Sequence, residues 1–374
     1  MPVDISYKSE WRGIHMRERG KNILPMIGFI LIVAVIFGGF AMANTFNGNS
    51  DVKTIEKNNK DKGLLKKNLF GNYDIDETSE ISTKGTDRIT INAVSSEINI
   101  QTHDSEKVEA HFYGDVSTLD PDARPFLEAT KKGDTIAVAI KYPKTMSSFT
   151  SERTCLDVKI PKRWAEDLEV TSVSGKISAP ELTGKDIRIN STSGSIQIDN
   201  ITGKNIRLVT TSGDFKLGEL IARDTFKQST ISGTSSINKV EAEDIKLEVT
   251  SGSTSIQNAI CEKVTSSSIS GSVEINLKDG SAEMASSSGN IQVRFEEGFN
   301  DFSAKSISGS VNLDIPEYSE FELEVKTISG DVKCGDFDMR VISTKKNNLK
   351  AITGDGDSKI DIQTSSGNVR IQKN

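Results

Sequence analysis

From residue 166 onward, apolar and polar positions alternate in short runs that break at a recurring phrase: VTSVSGKI at 170–177, INSTSGSI at 189–196 and LVTTSGDF at 208–215. The glycine of this phrase falls at Gly175, Gly194, Gly213, Gly233, Gly252, Gly271, Gly289, Gly309 and Gly330, 18–21 residues apart. Further Ser/Thr-Gly pairs at Gly354 and Gly367 break the spacing to 24 and 13. Aligned on the glycine, the positions seven and five before it and two and four after it are apolar in most units. Leu168, Val170, Ile177 and Ile187, Ile189, Ile196, Ile198 are typical, with Gln228 and Ser266 as exceptions in the column five before the glycine. Each unit therefore predicts a strand of period two, a corner at Ser-Gly, and a second strand of period two. Glycine suits such a corner because a sharp bend often needs φ > 0, which other residues adopt only at a cost.

A period near nineteen sustained over nine units predicts an all-β chain built as a single-stack β-solenoid, one coil per repeat. One coil buries too few side chains to offset its ordering entropy, whereas a stack shares one continuous core. Three positions before the glycine, Ser172, Ser191, Thr210, Thr230, Ser268, Ser286, Ser306 and Thr327 form a polar column in phase with the inward apolar ones. These hydroxyls are expected to bond to the corner backbone or to one another, a structural role. Two positions before it stand Val173, Thr192, Thr211, Ile231, Thr250, Ile269, Ile307, Ile328 and Ile352. Strict alternation turns this column outward; the aggregation risk of exposed isoleucines in line favours a phase shift that buries it.

Residues 74–165 show one coil-like unit, RITINAVSSEINIQ at 88–101 with Ser95-Ser96 at its corner, and then longer strands without the phrase. They predict an irregular β-rich N-terminal cap over the first edge, ahead of the solenoid repeats at 166–374.

Upstream the pattern is different. ILPMIGFILIVAVIFGGFAMA at 23–43 carries no charge, and as a helix it spans ~31 Å, enough for a bilayer. It predicts one transmembrane helix, with 1–22 as a short cytoplasmic tail, 44–73 as a flexible basic linker and the solenoid outside the membrane. Arg12, Arg17, Arg19 and Lys21 crowd its N-terminal side, which favours that orientation. The AMAN ending also matches a signal-peptidase pattern, so cleavage after Ala43 stays open.

The formal net charge of -7 gives no support for nucleic-acid binding. The flanks at 1–22 and 45–70 are basic and the rest acidic, so an acidic body follows two basic segments. Aromatic residues make up only 6% of the chain, which suits short strands and tight turns better than an aromatic core. Cys155, Cys261 and Cys334 have no zinc-ligand spacing, and an odd count precludes a fully paired disulfide framework. Cys334 falls in the inward column and is expected to be buried and inert.

Together with LDVKIP ending at Pro161, the run LEVTSVSGKISAPELTGKDIRINSTSGSIQIDNITGKNIRLVTTSGDFKL resembles a family of bacterial envelope proteins described as putative adhesins with β-strand repeats. The likeness covers about residues 88–374. It implies a membrane-anchored β-solenoid displayed at the cell envelope, and brings no catalytic residues.

Catalysis needs acid–base groups brought within reach of one another. His15, His103 and His111 all precede the regular coils, and outward carboxylates do not recur in one column on adjacent coils. No catalytic residue and no cofactor is therefore assigned. TGDGDSKID at 353–361 offers Asp355, Asp357 and Asp361 as weak calcium candidates, although calcium-binding solenoids repeat such a phrase and this one occurs once. The sequence reads as a non-enzymatic adhesin-like or envelope-interaction module, compatible with an accessory part in an envelope-stress response. The expected partners are the lipid bilayer through 23–43 and cell-wall polymer or envelope proteins; oligomeric state stays open. Two other classes remain: a self-assembling scaffold of rods joined end to end, and a carbohydrate-active enzyme on a β-helix.

Overall fold

The computed structural model describes residues 71–118, 121–142, 149–345 and 348–374. Within them the chain is built from β-strands, apart from one 3₁₀ turn at Pro121–Ala123. The fold class expected from sequence included a transmembrane helix, and this is corrected. Among the described residues no helix is long and apolar enough to cross a membrane. The 23–43 segment itself, with the tail at 1–22 and the linker up to residue 70, lies outside the described residues.

In the regular region each coil places one strand before the corner and one after it, and both pair in parallel with their counterparts one repeat away. Asp186–Ser191 lies between Asp167–Ser172 and residues 205–210, with Ile187 level with Leu168 and Ile206. Beyond the corner, Ile196 is level with Ile177 and Phe215. This in-register stacking gives the chain two long parallel faces: the first from the strands before the corners, the second from those after. The inward columns are buried almost without exception; Ile187, Ile189, Ile196 and Leu208 are 0% exposed. Each such side chain contributes ~1.5–3 kcal/mol of burial.

Alternation fails at one place in the coil. After the second strand's first four residues the chain bends, so Asp199 and Asn200 are both exposed, and the next inward residue is Ile201. Leu182, Leu220, Val240 and Ala259 occupy the same place in their coils and are fully buried. The core thus has an inward column beyond those legible as period two, on a third side of the coil.

The corner glycines serve close approach. None of them has a φ in the left-handed region, so the expectation of a positive-φ bend is corrected. Instead, the Cα of Gly194 lies against the carbonyl oxygen of Gly175, Gly213 against that of Gly194, and so on to Gly309 against Gly289. A methyl group at any of these positions would come closer to that oxygen than side-chain carbons do. Backbone hydrogen bonds continue through the corner, for example from Ser193 N–H to the Val173 carbonyl (2.7 Å). The hydroxyl three positions earlier closes the turn: Ser191 Oγ donates to the Gly194 carbonyl (2.6 Å), Ser286 to that of Gly289 (2.7 Å) and Ser306 to that of Gly309 (2.7 Å).

Both ends depart from chain order, a second correction to the expected single stack with an irregular cap. Near the N-terminus, Arg88–Ala93 and Glu97–His103 form a coil inserted between 135–161 and 167–183. Near the C-terminus, Ser358–Thr364 and Val369–Lys373 insert between the coil at 301–315 and the coil at 321–334. The glycine contacts follow the spatial order, since Gly367 lies against Gly309, and Gly330 against Gly367. Gly354 leaves the series altogether, being a positive-φ residue in a turn beside Glu320. Antiparallel strands then cover the outermost coils: Lys107–Thr118 and Asn72–Ser82 at one end, Asn348–Thr353 and Arg340–Lys345 at the other.

One buried site is polar. Gln228, 0% exposed, donates from Nε2 to Thr254 Oγ1 (3.0 Å) and Thr230 Oγ1 (3.2 Å), and its Oε1 accepts from Ser235 Oγ (2.9 Å). The interruptions in different apolar columns therefore compensate one another. Ser266, the other exception, is buried with no partner for its hydroxyl.

Two stability outcomes are expected. Gly213→Ala should lower the urea midpoint by the equivalent of about 1–3 kcal/mol, the range for overpacking. Gly298→Ala, where an added methyl meets nothing within 4 Å, should stay within about 0.5 kcal/mol; equal losses would remove the stacking explanation. Gln228→Leu should cost about 1–3 kcal/mol by stranding Ser235 and Thr254, and adding Ser235→Val and Thr254→Val should recover part of that loss. A single Leu variant as stable as the wild type would contradict the network.

Candidate binding face

The outward columns divide by chemistry. On the first face, charges pair with one another across coils. Lys227 Nζ meets Glu248 Oε1 at 2.6 Å, Arg88 meets Asp167 at 3.1 Å, and Lys263 meets Glu283 at 3.0 Å. Glu324 accepts from Lys326 and Lys350, and its carboxyl is lowered mainly by those hydrogen bonds. Exposed pairs of this kind contribute little stability, about 0–1 kcal/mol each. They engage many of the first face's charges, while Arg188 and Arg207, neighbours in register there, make no ion pair among the described residues.

The second face is different. The column three positions after the corner runs Ser178, Gln197, Lys216, Ser236, Ser255, Glu274, Gln292 and Asn312 across successive coils. Most of these side chains are neutral hydroxyls and amides. Where they find partners, those are other polar groups in the column, as when Ser178 Oγ donates to Asn99 Oδ1 (2.6 Å). At the corner, Asp214 accepts from the N–H and hydroxyl of Thr234 (2.8 and 2.6 Å), which hold its carboxyl below the usual range.

Between the faces runs the corner ridge. The residue just before each glycine, from Ser174 and Ser193 to Ser308 and Ser329, is an exposed serine. The column before that faces outward too, which corrects the expectation that it fills the core. Ile307 and Ile328 are 61% and 60% exposed, while Val173, Thr192, Ile231 and Ile269 are half-buried. In space the inserted coil puts Ser365 between Ile307 and Ile328, so those two isoleucines do not form a continuous apolar strip.

Groups with catalytic or metal-binding potential are placed elsewhere. At the corner of the first inserted coil, Glu152 accepts from Ser95 Oγ (2.6 Å), Thr154 Oγ1 (2.8 Å) and Tyr142 OH (2.9 Å). Ser96 Oγ lies 2.7 Å from Thr154 Oγ1. A carboxylate so fully engaged serves as a knot in place of the glycine corner, and burial raises the Tyr142 hydroxyl pKa. His111 meets Asp76 at 2.8 Å on an exposed strand, and His103 meets the Lys107 carbonyl at 2.7 Å. Of the weak calcium candidates, Asp361 lies within a strand next to Gln363, whereas Asp355 and Asp357 lie in the preceding turn. Among the described residues no three His, Cys, Asp or Glu side chains gather as a metal site.

The three cysteines are free thiols. Burial raises Cys261 to about 12, with Asp244 and Asp279 adding to the shift, and raises the half-buried Cys334 to about 11. Cys334 sits at the solenoid's short last strand, Val332–Cys334, which pairs on one side only.

A family model described as Toastrack DUF4097 matches the chain twice, over residues 86–220 and 206–372. Each match takes in one of the inserted coils. Among solved structures, the chain is similar to a putative adhesin from Parabacteroides distasonis, at 14% identity and a TM-score of 0.40, covering 80% of this chain and 97% of that one. It is similar also to a putative adhesin from Parabacteroides merdae, at 16% identity and a TM-score of 0.41, covering 64% and 92%. A putative lipid binding protein from Parabacteroides distasonis shows 17% identity and a TM-score of 0.41, covering 79% and 96%. No curated protein matches the chain.

The thiol shift has a definite sign. A raised pKa at Cys261 means that the neutral thiol is favoured in the fold; this stabilisation is whole below the usual value of 9.0 and is lost as pH climbs toward about 12. At pH 8, in a Cys155→Ser/Cys334→Ser background, Cys261 should react with a polar disulfide reagent at least ~100-fold more slowly folded than in urea. Comparable rates would place Cys261 outside the core.

Proposed function

The chain belongs to the Toastrack DUF4097 family, and from that premise we propose that it is a non-enzymatic, adhesin-like β-solenoid that acts by contact at the cell envelope. The observation that carries this reading is the second face, where neutral hydroxyl and amide side chains repeat in register from coil to coil. Parallel strands stack ~4.8 Å apart, so a polymer lying along the rod meets the same chemistry many times. Repetition of individually weak contacts raises avidity without a deep pocket. The first face carries more charge, much of it engaged in ion pairs, and repeats fewer neutral hydroxyls and amides for such a ligand.

Covered ends favour a discrete rod over end-to-end filaments. Antiparallel strands cover both strands of the outermost coil at one end and Phe321–Thr327 at the other, where only the short strand Val332–Cys334 keeps an open edge. Cell-wall polymer is the partner we favour, with envelope proteins second. A contribution to an envelope-stress response would be exerted through that same contact.

The full chain should co-sediment with isolated cell-wall material and stay in solution in a wall-free control. Gln197→Glu, Ser236→Glu and Gln292→Glu together, all on the second face, should abolish most of the pelleting. Arg188→Glu, Lys246→Glu and Ser303→Glu on the first face should leave it nearly intact. No pelleting by the wild type, or equal losses from both sets, would overturn the reading.

A further inference from the structure

The inserted C-terminal coil changes the second face at its far end. There the column Gln292, Asn312 is continued by Arg370 and then Lys333, which are register partners on neighbouring parallel strands. Two cations set side by side on one face repel each other, and such pairs are unfavourable unless something compensates them. Nearby lysines have compensation: Lys326 lies 2.6 Å from Glu324 and Lys373 lies 3.3 Å from Glu317. Arg370 and Lys333 are exposed and, among the described residues, neither makes an ion pair.

They border a shallow concavity of about 350 Å³, floored by Val369 and walled by Asn290, Asn368, Asn312 and Asp331. The orientation of two amides is set by the backbone. Asn290 Oδ1 accepts from Ser310 N–H (3.1 Å), and Asn368 Oδ1 accepts from Asp331 N–H (3.0 Å). With each oxygen held by a backbone N–H, the amides are fixed in orientation and their N–H₂ groups are free to donate to a ligand. The concavity is therefore rich in donors: two amide groups, a guanidinium and an ammonium, opposed by the single Asp331 carboxylate.

We propose that this concavity is an anion subsite for a carboxylate- or phosphate-bearing glycan or polyol chain. The charged group would lie between Arg370 and Lys333, with the chain continuing over Asn312, Ser310 and Gln292. Arg370 suits this role because its planar fork meets a carboxylate or phosphate through two parallel hydrogen bonds. The neutral column beyond supplies hydrogen-bond partners for chain hydroxyls. The proposal deepens the reading of the second face as a polymer-binding surface and rests on it.

The test is calorimetric titration of the full chain at low salt with three soluble polymers: polygalacturonate, poly(glycerol phosphate) and neutral dextran. Binding of either anionic polymer, without binding of dextran, is the expected result, and which of the two binds identifies the charged group. Lys333→Gln/Arg370→Gln should weaken that binding at least ~10-fold with an unchanged melting curve. Lys227→Gln/Lys263→Gln, which removes two paired cations on the first face, should leave it unaltered. Undiminished binding by the Lys333/Arg370 variant, or no binding of either polymer by the wild type, would overturn the subsite. So would association with phosphatidylglycerol vesicles in place of both polymers. The wider reading fails separately: wild-type protein that pellets with the wall yet ignores both anionic polymers loses the subsite and keeps the binding face.

Discussion

Everything in this molecule depends on how closely two backbones approach at the corner. Each corner glycine sits against the carbonyl oxygen of the corner residue one coil away, Ser96 for Gly175 and another glycine for the rest, with no room for a side-chain carbon between them. That contact sets the coil-to-coil distance at the corner to strand spacing, so the hydrogen-bond ladder runs through the bend. The serine three positions earlier then donates to the turn's own carbonyl, and Thr210 in its place accepts from the Gly213 N–H. A corner that fails to stack would throw both faces out of register, and with them every inward column.

Once register is fixed, inward and outward positions have different freedoms. Inward positions must fill a narrow core, and its largest polar intruder is matched, Gln228 by Ser235 and Thr254. Outward positions are held in straight columns whose chemistry is unconstrained by folding. The first face uses many of them for ion pairs; the second leaves hydroxyls and amides available. Recognition can thus be spread along the rod without disturbing what holds it together, and it has no need of the converging acid–base groups that catalysis requires.

The ends obey a different constraint. A solenoid's last coil has an edge of unpaired backbone groups, which invites aggregation. Here a coil is inserted out of chain order at each end, from earlier in the sequence at one and from later at the other. Antiparallel strands lie over the outermost coil, leaving only Val332–Cys334 open. One consequence is chemical as well as structural, because the insertion brings Arg370 beside Lys333, 37 residues apart in the chain.

The sequence by itself determined the repeat, the corner and most of the core. Local alternation marked Ile187, Ile189, Ile196 and their counterparts as inward, because a strand's side chains switch faces at every residue whatever the strand pairs with. Three matters were decided only by the tertiary structure. The glycine's purpose lay in a contact with the next coil, about nineteen residues away, and so read locally as a φ preference. The inward column at Ile201 and Leu220 follows a bend that interrupts the alternation, and the column at Ile307 and Ile328 stays outward because the corner keeps its phase. The order of the end coils was hidden as well, since strands of like pattern compete for the same neighbours; which pair forms depends on closing both ends at once, a condition no single repeat encodes.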